Sequence, residues 1–175
     1  MKDKMQGSYL RFAAMIGTSM LAMYALMYLN TYELSHVRFS ETRLYMTFIM
    51  GAAMAVIMLS FMRGMYSSTR RNLFIYIGSI VVFIVALFLV RSQTLVQDSS
   101  WMSAMIPHHS IAILTSERAT IQDVRAQELA GEIIEAQRRE ISEMEWLIED
   151  IRANGVAATE ADAEARPVPE FEVSS

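Results

Sequence analysis

Three long uncharged runs limit what this chain can fold into. Twenty-one residues separate Arg11 from Glu33, nineteen separate Arg43 from Arg63, and nineteen more separate Arg71 from Arg91, none of them Asp, Glu, Lys or Arg. A helix needs about 17–25 largely apolar residues to cross the hydrocarbon of a bilayer, and each run is that long. Hydrophobic residues make up 53% of the 175 and mean hydropathy is positive at +0.26. About half the chain is therefore expected in lipid, which leaves no room for a large soluble enzyme domain. The expectation is that the protein is not an enzyme. A net charge of -4, with no Lys/Arg cluster away from the membrane flanks, argues against nucleic acid as a partner. The absence of cysteine removes disulfides, thiolate metal sites and a Cys nucleophile.

Basic residues in the short loops set the expected orientation. Lys2, Lys4, Arg11, Arg63, Arg70 and Arg71 fall on one side, against Arg38, Arg43 and Arg91 on the other. The N-terminus and second loop should face the cytoplasm, with loop 30–43 and everything after residue 91 outside. In a bacterium that means an inner-membrane protein with a periplasmic C-terminal domain. The first run leads into Asn30-Thr31-Tyr32-Glu33 rather than a small-residue cleavage site, so it reads as a retained anchor.

Residues 97–153 change character, with an apolar stripe at helical spacing among 11 acidic and 5 basic side chains. The pattern predicts two helices in a hairpin. Ser99 or Ser100 can cap the first, which runs to about Arg118 with Pro107 inside it, where a kink is expected. Thr120 or Asp123 can cap the second, whose Ile134, Gln137, Ile141, Met144, Ile148 and Ile151 recur by threes and fours. Asn154-Gly155 can close it. Residues 154–175 are small, acidic and Pro-containing, and are expected to be disordered. The division is thus a cytoplasmic N-terminus (1–11), a three-helix transmembrane region (12–91), a hairpin (97–153) and a tail (154–175). One antiparallel helix pair is a poor core. The expected fold class is all-α: three transmembrane helices, then an extracytoplasmic hairpin that forms a four-helix bundle by pairing with a second copy.

The segment Trp101-Met102-Ser103-Ala104-Met105-Ile106-Pro107-His108-His109 carries the chemistry. At about 100° per residue, Met102, Met105 and His109 share one helix face, and His108 lies about 100° from His109. Thioether sulfur suits monovalent copper, imidazole is a common companion, and Met144 on the second helix can add a third sulfur. Silver would satisfy the same ligands. No Glu-x-x-His pair faces inward, as a di-iron bundle needs, and no zinc-hydrolase spacing occurs. The bland reading is that flexible Met side chains fill a core.

Methionine is abundant, at 15 residues, and unevenly placed. Met46, Met50, Met54, Met58 and Met62 recur every four residues, Met20, Met23 and Met27 mark the first span, and the third has none. Lipid solubility alone does not explain that contrast. The second span's methionines, Met46, Met50 and Met54 among them, are a candidate thioether path for copper or an adaptable packing surface beside Gly51, Ala52, Ala53 and Ala55. His36 in the outer loop is a candidate extension of the ligand set if it lies near Met27 and Met46.

The stretch W-M-S-A-M-I-P-H-H-S-I-A-I, followed by E-L-A-G-E-I-I-E-A-Q-R-R-E-I-S-E-M-E-W-L, resembles the domain-of-unknown-function family 305 over about residues 97–150. The membrane half, with N-T-Y-E-L-S-H-V-R-F-S-E-T-R-L-Y-M, is similar to its membrane-anchored branch. The resemblance implies a ferritin-like helical bundle associated with copper binding and copper tolerance outside the cytoplasm. It implies Met102, Met105, His108 or His109, and Met144 as ligands. The chain departs from many relatives in having one hairpin and three added membrane helices, which strengthens the expectation of a homodimer or higher homo-oligomer.

The expected function is binding of monovalent copper on the hairpin, for tolerance or for delivery to a copper-handling partner protein. If histidine ligates, affinity should weaken below about pH 6.5, the ordinary imidazole value. Two alternatives stand beside it. One is a metal-free membrane-anchored interaction module, and the other a copper transporter using the transmembrane methionines.

Overall fold

The computed structural model describes residues 2–171, with side chains from Tyr9 onward. Expectations for Lys2 and Lys4 as charged groups, and for residues 172–175, lie outside what is described. The described residues are helical with no strands: α1 (Lys2–Leu26), α2 (Glu41–Phe61), α3 (Thr69–Ser92), α4 (Asp98–Arg118), α5 (Val124–Asn154) and α6 (Glu160–Ala165), with 3-10 turns at Leu34–His36 and Arg63–Met65. They form two compact units. One contains residues up to 27 together with 41–95, the other residues 28–40 together with 96 onward.

In the first unit α1, α2 and α3 are each long and apolar enough to cross a membrane, over Tyr9–Leu26, Glu41–Phe61 and Thr69–Ser92. Central α2 packs on both neighbours. Small side chains allow this, because Gly51, Ala52 and Ala55 are buried on α2. A Cβ at Gly51 would collide with the Met20 thioether, so the glycine makes the space that Met20 of α1 fills. At one end Phe12, Ala55, Leu59 and Tyr66 form an apolar cluster. Polar groups tie the same end together: Tyr9 Oη donates to Asn72 Oδ1 (2.7 Å), and Asn72 Nδ2 donates to the Tyr66 carbonyl (2.8 Å). Most of α3 exposes large apolar side chains, among them Phe74, Ile77, Ile80, Ile84 and Phe88, as a lipid-facing helix does.

In the second unit α4 and α5 pack as the expected hairpin. Ile141, Met144 and Ile148 of the α5 stripe are buried against Met102, Ile106 and Ile113 of α4, and Ile134 and Ile151 flank them. Helix α4 starts at Asp98, slightly before the expected serine caps, with no side-chain cap at Gln97. An acidic residue in a first turn is itself favourable there. The helix continues through Pro107, which is fully buried. Asp123 caps α5 by accepting from Arg125 N–H (2.9 Å). Its carboxyl is held below the usual range by the Arg125 side chain first and by the Arg125 N–H second. Gly155 ends α5 with φ +79°, a conformation L side chains rarely adopt.

Two further features belong to this unit. Residues 28–40, the loop expected outside the membrane, are grouped with the hairpin. Ser110 of α4 accepts from Tyr32 N–H (2.7 Å) and pairs with His36 Nδ1 (2.9 Å), while Arg38 donates to Glu145 of α5 (2.6 Å). The tail carries α6. Thr159 and Asp162 form a capping box, and Arg166 reaches back to Asp150 and to the Gly155 carbonyl. Composition alone missed these specific caps and ion pairs.

Candidate metal centre in the helical hairpin

Three of the expected methionines belong to one core. Met102 and Met144 are 4% and 6% exposed in one core cluster, and Met105 packs against it. Spacing explains the convergence: Met102 and Met105 lie one turn apart on α4, and Met144 is at the centre of the α5 stripe that faces it. Met102 also lines a cavity of about 530 Å³ with Trp101, Leu147, Ile151 and residues of the tail. Its side chain therefore borders open space although little of it meets bulk solvent.

His109 is fixed at both nitrogens. Nδ1 lies 2.9 Å from the Met105 carbonyl oxygen, which can only accept, so Nδ1 carries a proton. Nε2 lies 2.8 Å from Glu140 Oε2 on α5. In the neutral ring Nε2 is then the nitrogen with the lone pair, and in the protonated ring it donates to Glu140. An Nδ1–H bonded to a backbone carbonyl is the arrangement that orients many metal-ligating imidazoles. The side chain is 12% exposed and that of Glu140 is 40% exposed. A carboxylate with that much access to water can leave Nε2 more readily than a buried one.

The remaining candidates lie elsewhere. His108 is exposed, its ring edge-on to His109 with centroids 6.0 Å apart, as adjacent residues on a helix dictate. His36 meets Ser110, and so sits in the hairpin unit rather than the unit that holds Met27 and Met46. On α2, Met46 is exposed and Met50 and Met54 are half-buried. Met58 and Met62 pack on the cluster around Phe12 and Tyr66. Among the described residues no group of three His, Cys, Asp or Glu side chains converges. The hairpin also offers the thioethers of its core. They are neutral and polarisable, and they fit a soft monovalent ion and not a hard divalent one.

Sequence reasoning missed Glu140 and Ser110. The signal for Glu140 was present, because it precedes Met144 by four residues and so shares its face of α5. Ser110 carried none, since its partners are 74 and 78 positions away.

Fold and site together define an all-helical protein with three helices suited to a membrane and a separate helical hairpin unit. Residues 90–168 match the family described as Domain of unknown function (DUF305), a stretch that reaches past the hairpin to include α6 and Arg166. Over 144 residues the chain is 30% identical to Uncharacterized protein L153 of Acanthamoeba polyphaga mimivirus, covering 78% of this chain and 93% of that relative. The protein belongs to the DUF305 family. No solved structure matches it.

Proposed function

We propose that the protein is a bacterial inner-membrane protein that binds monovalent copper on its hairpin, for copper tolerance or for delivery to a partner protein. The observation that carries this reading is that Met102, Met105 and Met144 belong to one core, with His109 one helical turn beyond Met105 and its Nδ1 already anchored. The three sulfurs would hold the ion and His109 Nε2 would join them in exchange for Glu140. His108 is the lesser candidate, being exposed. Silver fits the same donors. The balance of basic residues supports an N-terminus in the cytoplasm and a hairpin in the periplasm. A second hairpin completing a four-helix bundle would make the working form a homodimer, in keeping with the ferritin-like architecture that the family resemblance implies.

The test is anaerobic titration of the full chain in detergent with monovalent copper, against a competing chelator. Replacing Met102 and Met105 together with Leu should weaken binding by at least about tenfold, each lost soft ligand being hard to replace from the carboxylates nearby. Unchanged affinity in a folded double variant would sink the reading.

One observation favours a metal-free interaction module instead. Met102 and Met144 are packed as ordinary core side chains, and both His109 nitrogens have protein partners. On that reading the same double variant lowers stability or association and leaves metal content unchanged. Transport along α2 has no such support, because Met20 fills the space at Gly51 and Met58 and Met62 pack on an apolar cluster.

A further inference from the structure

Both α1 and α3 lean on α2, and between them a groove of about 560 Å³ remains open. One face of α1 lines it from Tyr9 through Phe12 and Ile16 to Met20, Ala55 of α2 contributes to its wall, and Arg71 and Phe74 border it on α3. Two α1 residues in the lining, Ala13 and Gly17, are too small to fill it, and a Cβ at Gly17 would meet nothing within 4 Å. From Tyr9 to Met20 the groove follows α1 for roughly 16 Å at the helical rise. That is about half the ~30 Å hydrocarbon thickness, the depth of one leaflet.

The lining is apolar except at one end. There the Arg71 guanidinium lies 5.2 Å from the Tyr9 ring centroid. Tyr9 is itself held by its bond to Asn72 and by packing on Tyr66, so the cation rests on a fixed platform. No carboxylate among the described residues pairs with Arg71, and the same holds for Arg70 beside it. Guanidinium suits phosphate oxygens in both geometry and charge. Its position in the first turn of α3, at the end of a membrane-length helix, is where a headgroup lies.

We propose that this groove binds an anionic phospholipid from the leaflet nearer the chain's N-terminus, one acyl chain running along α1 and the phosphate held by Arg71. A generic bilayer acyl chain would satisfy the apolar wall, and a cation with no carboxylate partner among the described residues adds selection for negative charge at its end. The proposal does not depend on the copper reading.

Arg70 provides the control. It carries the same charge one residue away, but faces the Phe74 ring (5.9 Å) and does not line the groove. The full chain in neutral detergent is offered phosphatidylglycerol or phosphatidylcholine with identical acyl chains, and retained lipid is counted by native mass spectrometry. Wild type should prefer phosphatidylglycerol by roughly fivefold, the scale of one basic residue at an anionic surface. Arg71→Gln should erase that preference and Arg70→Gln should keep most of it. Gly17→Leu fills the groove without a backbone clash and should lower retention of both lipids, with helicity checked by circular dichroism. Equal retention of the two lipids by wild type overturns the proposal. So does an equal loss in Arg70→Gln and Arg71→Gln, which would mean diffuse surface attraction. If Gly17→Leu leaves lipid retention unchanged and converts dimer to monomer, the groove receives a helix from a second copy and the lipid site is refuted.

Discussion

Ser110 shows how much one small side chain carries here. Its hydroxyl is fully buried and meets both the Tyr32 N–H and His36 Nδ1, joining the 28–40 segment to α4. Ser110→Ala leaves both groups without that partner, and an unsatisfied buried polar group costs about 1–3 kcal/mol. Chemical unfolding of the full chain in detergent should show a loss on that scale. At His109 the expectation concerns affinity. If the hairpin binds copper as proposed, the ion needs the Nε2 lone pair, so His109→Ala should bind monovalent copper more weakly than wild type. Equal affinity of variant and wild type would leave histidine out of the site. The sequence makes Met102, Met105 and His109 legible as a set because they share one face of one helix. It is silent on what the imidazole faces, since Glu140 lies 31 positions away on another helix.

Among elements, the ones set by local pattern were readable in advance. The α5 stripe buries Ile141, Met144 and Ile148 with Ile134 and Ile151 partly covered beside them, Asp123 caps it, and Gly155 ends it. The tail was not readable in the same way, because α6 depends on a capping box and on Arg166 finding Asp150. The α1–α2 pairing is intermediate. Small residues on α2 suggested a close approach, and the structure shows Met20 as the side chain that uses it. Gly51→Ala must push Met20 aside and is expected to cost about 1–3 kcal/mol through overpacking. Because Met20 is flexible and its obstruction is a side chain, Met20→Ala in the Gly51→Ala background should recover part of the loss. Thermal unfolding of the single and double variants measures the coupling, and strict additivity would mean that the two residues do not meet.

At the scale of the whole molecule, segment 28–40 joins the hairpin unit although it connects two membrane helices in the chain. Tyr32 packs on the hairpin core, so the segment supplies some of the cover that a lone helix pair lacks. A second hairpin would supply the rest. Native mass spectrometry of the full chain is expected to give a dimer, with its population reduced by charged substitutions on the exposed face of α4 or α5. A monomer at all concentrations would leave the four-helix bundle without support. Sequence alone determined the three apolar spans, the hairpin and the methionine face, because hydropathy and helical period are local properties of a chain. Tertiary structure decided that 28–40 clamps Ser110, that Glu140 faces His109, that Met20 fills the space at Gly51 and that α1 and α3 leave a groove. Each of these joins positions far apart in sequence, where packing geometry rather than local pattern selects the partner.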